Sequence, residues 1–353
     1  MRARRKDEGT VLLSTLLALS LMSAVTLGLL AALRGTVSTA QRLQDAAQAD
    51  LYASGARDFA LAQAARLASL DGPTRNAAVL GLQPIVLPFE GGAITAAVRD
   101  GTHCLRLSGL VGEGGTRDDA EVRRFAALLE GTGLGPTEAQ AIAGAAADYA
   151  DANSERGPNG AEDGVYLYRD PPHRTANTAF SSIWELRAVD GVTEDIFRAV
   201  RPFLCIGAPG EGSAFNIDTA DARHLPVLAA VLAHEYERPR MAAQQLLEAR
   251  PATGYGDAAA ALAVLGVTPD RPPVAAAGGG DDGATAGPSL DGIAFSTDTL
   301  EVDALISFGS AERARSFRIA LGEGGEAPQL VHRDFGRNAL RPELTTPGEG
   351  VEP

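Results

Sequence analysis

Lysine is almost absent from this chain: Lys6 is the only one in 353 residues, and it lies within the first nine. Beyond that leader no ammonium is available for a P-loop, a Schiff base or a Ser-Lys dyad. Cysteine is nearly as scarce. Cys104 and Cys205 are the whole supply, and an oxidising compartment permits one bridge between them, while two separate buried thiols fit the sequence equally well. Histidine is thin and unpatterned. His234-Glu235 lacks the second histidine of a zincin, and His103, His173, His224 and His332 show no ligand spacing, so each reads as a surface or packing residue. No Gly-x-Ser-x-Gly elbow occurs, and Ser213 in Gly210-Glu211-Gly212-Ser213 follows no strand pattern. No catalytic site emerges. Positive charge is the minority sign, with 31 basic against 45 acidic side chains and a net charge of −14. Such a balance disfavours nucleic acid as a partner.

What the chain does have is a long apolar run. Thr10 to Leu33 is uncharged and mostly apolar, entered from Met-Arg-Ala-Arg-Arg-Lys-Asp-Glu-Gly and left through Arg34 and Arg42. As a helix it reaches roughly 35 Å, enough to cross a bilayer's hydrocarbon core. Arg2, Arg4, Arg5 and Lys6 precede it, so the positive-inside rule leaves the N-terminus in the cytoplasm and the body outside. A short basic leader ending in Gly9, with an apolar helix starting directly after it, resembles the type IV pilin-like signal read by prepilin peptidase. That resemblance implies cleavage between Gly9 and Thr10. The leader would take four positive and two negative charges with it, leaving −16. An ordinary signal peptide with Ser38-Thr39-Ala40 before Gln41 is the alternative, but its apolar core would be about twice the usual length. An uncleaved anchor is the third reading.

From Gly35 to about Leu70 apolar residues recur near helical spacing, so the membrane helix is expected to continue outward as an amphipathic one. After Asp71-Gly72-Pro73 come strand-like pieces at Ile85 to Phe89, Ala93 to Val98 and Thr102 to Leu107, with turns at Gly91-Gly92 and Asp100-Gly101. From Thr116 to about Leu265 the pattern turns helical, with candidates Val122 to Leu129, Thr137 to Tyr149, Ile183 to Val189, Thr193 to Val200, Thr219 to Leu232 and Arg240 to Leu247. Arg271-Pro272-Pro273 through the Gly278 to Gly283 run reads as a connector. Alternation returns at Phe295 to Thr297, Leu300 to Ile306 and Ser316 to Leu321. The expectation is an α+β fold in which an all-α domain interrupts a sheet. Its divisions are a leader (1–9), a transmembrane part (10–33), a first body part (34–115), an insertion (116–268), a linker (269–291), closing strands (292–337) and a tail (338–353).

That order is similar to the K-type minor pseudopilins of type II secretion systems, the general secretion pathway protein K family. The residues that carry the resemblance are Asp148-Tyr149-Ala150-Asp151-Ala152-Asn153, Pro158 to Asp163, Tyr166, Asn177-Thr178-Ala179-Phe180 and Glu185-Leu186. A second stretch runs from Leu186 to Leu204 and on to Phe215-Asn216-Ile217-Asp218-Thr219-Ala220. The fifth mature position, glutamate in major pilins, is Ser14 here, and the family also lacks that carboxylate. A tip subunit receives no further subunit, so it needs no counter-charge in the apolar filament core. Thr10, where a bulky apolar residue is usual, departs from the pattern and bears on N-methylation. The resemblance implies a pilin-like long helix and antiparallel sheet with a SAM-like, helix-hairpin-helix-like insertion. It also implies a pseudopilus tip shared with I-type and J-type minor pseudopilins. Further implied partners are prepilin peptidase, the inner-membrane secretion platform, and the secretin or a secreted substrate.

Asp151, Asn153, Glu155, Asn159, Glu162 and Asp163 crowd oxygen donors into one loop past a helix, an arrangement that suits calcium. Arg156 stands where an EF-hand needs glycine, and a solvated acidic loop with Asn and Asp making turns is the alternative. The resemblance implies calcium in this domain. Leu186 to Ile196 reads as a helix-hairpin-helix around Gly191, with Leu129 to Leu134 a fainter copy. Asp190, Glu194 and Asp195 surround that glycine where a phosphate would need Lys or Arg, so packing is the expected role. Two function classes follow: a structural assembly protein of the secretion pseudopilus, and an inner-membrane-anchored periplasmic hydrolase with an uncleaved anchor.

Overall fold

The computed structural model describes residues 7–208, 212–267, 290–322, 326–337 and 340. The first six residues, nearly all of the 269–291 connector and the tail apart from Leu340 lie outside the described residues. One helix, α1, runs unbroken over Asp7–Ala68, about 90 Å at 1.5 Å per residue. No proline interrupts it, and within its apolar half the hydroxyls turn back onto their own helix. Ser14 donates to the Val11 carbonyl at 2.9 Å and Thr26 to that of Met22 at 2.8 Å, so polar side chains cost little in an apolar setting.

After α1 the chain makes α2 (Gly72–Leu80), β1 (Ile85–Phe89), β2 (Gly92–Asp100) and β3 (Leu105–Arg106). The helical region holds α3 (Asp119–Gly131), α4 (Pro136–Ala150), α5 (Asp163–Tyr166) and α6 (Glu194–Val200). Then follow β4 (Leu204–Cys205), β5 (Phe215–Asn216), α7 (Leu225–Leu232), α8 (Pro239–Ala249) and α9 (Ala258–Val264). The chain returns through β6 (Ile293–Ala294), β7 (Thr299–Phe308), β8 (Ala311–Ala320) and β9 (Gln329–Phe335).

The main sheet has the order β1-β2-β7-β8-β9, antiparallel throughout. The register of β2 on β7 runs from Gly92 opposite Phe308 to Asp100 opposite Leu300. Everything between β2 and β7 is therefore an excursion from one sheet. Alternation sorts the faces. Leu300, Val302, Ala304 and Ile306 of β7, with Phe317 and Ile319 of β8, meet Ala49, Ala53 and Ala64 of α1 in one core. Asp50 of α1 receives Arg313 at 3.1 Å and Arg315 at 2.5 Å from β8. The opposite face is charged: Arg99 reaches Glu301 at 3.0 Å and Asp303 at 2.6 Å.

The insertion has its own core, built from Phe125, Leu128, Leu129, Ile142, Leu186, Val200, Leu204, Val227 and Leu228 among others. Leu105, Leu107, Leu110 and Val111 join this core although they precede Thr116. The strands β3 and β4 pair in parallel, as do β5 and β6, giving two small ribbons within the helical region.

Several elements differ from the expectations. Gly72-Pro73 starts α2 rather than a strand region: Asp71 caps it by accepting the Thr74 N–H, and Pro73 sits in the first turn, where its missing donor is harmless. The strand expected from Thr102 shrinks to Leu105–Arg106, because the Asp100 carboxylate takes the Thr102 N–H and hydroxyl and turns the chain off the sheet. The helix expected from Thr219 begins as α-helix only at Leu225, after a short 3-10 turn capped by Asp221. Ile183–Ala188 is also 3-10. Strand pairing at Phe295 to Thr297 is replaced by β6 two residues earlier. The elements α5, α9 and β9 were not legible from periodicity.

Candidate functional site

Three features carry functional weight: the exposed helix, the acidic loop and the junction between body and insertion. The apolar run of α1 is exposed along its whole length; Leu12, Leu21 and Leu27 each expose about two thirds of their surface. Among the described residues α1 alone is long and apolar enough to cross a membrane. Gly9 and Thr10 lie inside its first turn of the described chain.

The acidic loop follows α4, and its anchor is a residue outside the predicted ligand set. Asp148 is fully buried, accepts the Gly157 N–H at 3.0 Å and is bridged by Arg117 at 3.2 Å. Gly160 allows this, since a Cβ there would stand 1.7 Å from Asp148 Oδ2. Asp151 is buried at the end of α4 and caps Asn153, whose Oδ1 in turn accepts the Glu155 N–H at 2.6 Å. Glu155 and Asn159 are exposed, and Asn159 takes a left-handed φ of 57°. Asp163 is committed elsewhere, accepting from the Thr175 N–H and hydroxyl and pairing with Arg174, which hold its carboxyl below the usual range. Glu162 is the outlier. It is nine-tenths buried, and neither carboxylate oxygen has a hydrogen-bond partner. Burial, then the charges of Asp148 and Asp151, push its pKa up. Burial and Asp148 do the same to Asp151. Among the described residues no three His, Cys, Asp or Glu side chains converge as a metal-holding group.

The junction is a buried polar knot that periodicity could not reveal. Asp100, at the end of β2, accepts from Thr102, from Asn216 Nδ2 at 2.9 Å, from Thr219 Oγ1 at 2.6 Å and from Thr297 Oγ1 at 2.7 Å. Asn216 also donates to Asn76 Oδ1 at 3.0 Å, and Asn76 donates to the Phe295 carbonyl at 2.9 Å. Burial pushes the Asp100 carboxyl up, but His103 and the hydroxyl donors outweigh it, so the net shift is downward. His103 packs against His224, ring centroids 4.1 Å apart and the rings tilted by 36°. Burial and His103 pull His224 down to about 3. The motif Phe215 to Ala220 thus does structural work, with Asp218 accepting the Tyr255 and Gly256 N–H groups. Nearby, Cys104 and Cys205 are bonded, tying the chain entering the insertion to β4.

The hairpin turns at Gly133 and Gly191 have positive φ. Asp190 beside Gly191 is taken by Arg169, and Glu194 by Arg187 at 2.6 Å. A Cβ on Gly191 would press Ile142 at 2.9 Å, so the turn is fitted to its own core.

A long helix leaving its apolar half bare, laid on an antiparallel sheet from which a helical domain loops out and returns, defines a pilin-like protein with an inserted helical domain. The family model described as type II secretion system (T2SS), protein K matches residues 103–209. A type II secretion system protein K from Klebsiella pneumoniae is 32% identical over 267 residues, 73% of this chain and 79% of that protein. One from Pectobacterium carotovorum is 33% identical over 192 residues, a match that spans 56% of that relative's length. The fold matches a chain of the crystal structure of the GspK-GspI-GspJ complex from the enterotoxigenic Escherichia coli type 2 secretion system, with a TM-score of 0.64 and 20% identity. That match covers 85% of this chain and 99% of the other. The chain belongs to the type II secretion system protein K family.

Proposed function

We propose that this chain is a minor pseudopilin that caps the pseudopilus of a type II secretion system together with I-type and J-type minor pseudopilins. Its role is structural, supporting export across the outer membrane; the anchored periplasmic hydrolase is the alternative that the test below addresses. The observation that supports this most is α1 itself: one uninterrupted helix bears a bare apolar half and, on the same axis, the body that a filament tip must present. Prepilin peptidase would cut after Gly9, the cytoplasmic leader would stay behind, and the globular part would face the periplasm. The inner-membrane platform would then supply the force of extraction, and the tip would meet the secretin or cargo.

The test is co-expression of the full chain with candidate I-type and J-type partners, followed by size exclusion with mass detection. A one-to-one-to-one complex supports the reading, and a persistent monomer moves the weight to the anchored enzyme. A Gly9 substitution that leaves processing and secretion intact would remove the leader from the account.

Calcium at the acidic loop is a second reading, favoured by one observation: both Glu162 oxygens are buried without a donor beside two further carboxylates. A hard cation satisfies such a group better than any nearby side chain. Glu162 would supply the free carboxylate, with Asp151, Asn153 or loop carbonyls closing in on the ion to complete the oxygen set, while Asp163 and Asp148 are already occupied. The ion would supply charge compensation and loop order. Titration of the chelated protein with calcium, read by heat of binding and by thermal midpoint, decides between this and a solvated loop.

A further inference from the structure

The main sheet is wider than the helix that covers it. On the face carrying Val302 and Ile319, α1 packs over β7 and β8, and α2 packs against β2 with Val79 in the same core. The register places Ile85 opposite Ala96, and Leu87 opposite Ile94, which itself stands opposite Ile306 of the core. Ile85 and Leu87 therefore belong to the α1 face, yet they are 41% and 42% exposed. Tyr52 of α1 stacks on Phe89 at 4.0 Å, marking the near wall of the open strip. Phe59 lies one heptad along the same side of α1 and is 51% exposed. Leu80, at the end of α2, and Leu82, in the link from α2 to β1, are likewise exposed.

Two observations say what fits there. First, the open strip spans β1 and β2, about 10 Å at 4.8 Å per strand, which is about the spacing of one helix from its neighbour. The sheet already accepts α1 on the adjoining strands in this way. Second, the edge of β1 cannot extend the sheet by strand addition. Because the Gly309 N–H bonds the Gly91 carbonyl, alternate residues of β2 bond β7, and Phe89, Leu87 and Ile85 use their hydrogen bonds on β2. The outward slots fall to Pro84, Val86 and Pro88, two of which have no N–H. Residues 82–89 also carry no charge. The occupant has to present apolar side chains rather than a backbone edge.

We propose that the open half of this sheet face, lined by Phe59, Ile85, Leu87, Leu80 and Leu82, receives the apolar side of an α-helix from a pilin-like neighbour subunit, lying beside α1. This rests on the proposed tip assembly and assigns it a surface. Val86, on the reverse face of the same strand, stays outside the contact.

The experiment uses the full chain in detergent with I-type and J-type partners, and a photo-cross-linking residue at Leu87 or at Val86. Cross-links to a helix of a partner from position 87 and not from 86, with Leu87→Glu weakening association about tenfold or more and Val86→Glu leaving it unchanged, are the expected result. The thermal midpoint of each variant checks folding, and the cross-linker at 87 reports even where the glutamate variant fails to fold. A wild-type complex indifferent to Leu87→Glu, or cross-links only to a strand or to a second copy of this chain, overturns the inference alone. Absence of any wild-type complex overturns the tip assembly and this surface with it.

Discussion

Asn216 and Asp100 are 116 residues apart, and the Asn216 amide donates to the Asp100 carboxylate at 2.9 Å in a site where neither is more than 4% exposed. One residue ends a strand of the body and the other opens a ribbon of the insertion. Replacing Asp100 by alanine strands the donors of Thr102, Asn216, Thr219 and Thr297 at once. Each buried orphan costs about 1–3 kcal/mol, so the loss should be at least about 3 kcal/mol. Denaturant unfolding, with its slope checked, measures it. A change below about 1 kcal/mol would mean that the knot is incidental to the union of the two parts.

His224 makes the same region sensitive to acid. Its folded pKa is about 3, below the ordinary 6.5, so the unfolded chain binds the proton more readily. The stability this residue confers is complete above about pH 6.5 and drains away as pH falls toward 3. Between pH 7 and pH 5 the loss should be about 2 kcal/mol. His224→Gln should flatten the pH profile across that window, and an unchanged slope would count against the half-buried neutral imidazole, whose Nδ1 accepts the Asp221 N–H.

The Cys104–Cys205 bridge closes 101 residues. In the chain-entropy picture such a loop is worth about 4–5 kcal/mol, an upper figure where strain or residual structure intervenes. Both sulfurs are buried, so reductant should act mainly on the unfolded chain. The Cys104→Ser, Cys205→Ser double variant should lower the unfolding midpoint markedly, and adding reductant to it should do nothing more.

Glu162 gives opposite signs in two conditions. In chelator its carboxylate is buried without a donor beside like charges, and its raised pKa means that protonation favours the folded state. Glu162→Gln should then raise the thermal midpoint by a few degrees. With calcium added, the same substitution should abolish any metal-dependent gain in the wild type. If Glu162→Gln destabilises the protein in chelator, the carboxylate has a partner in solution.

The hydrophobic rhythm was enough to predict α1, the helices α3, α4, α6 and α8, and the strands β1, β2, β7 and β8, because each buries one face at its own period. What stayed hidden was set by tertiary partners. Nothing local marks Asp100 as the acceptor of donors from residues 102, 216, 219 and 297. The strand β9 is half-exposed and alternates weakly, and α9 is a run of alanines whose helicity depends on Asp257 capping it. In the acidic loop, the ligand types were visible in the sequence, but their commitments were not: Asp163 is engaged by Thr175 and Arg174, while Asp148, left outside the candidate set, sits at the loop's centre.

The pairing of Asp100 with Leu300 across β2 and β7 also imposes an order in time. A chain made N-terminus first has β1 and β2 long before β7, the strand that pairs with β2, exists. Until then β2 has one unpaired flank, which only the chain beyond the insertion can fill. The body's sheet therefore closes only once its last three strands are in place, after the whole insertion has been made.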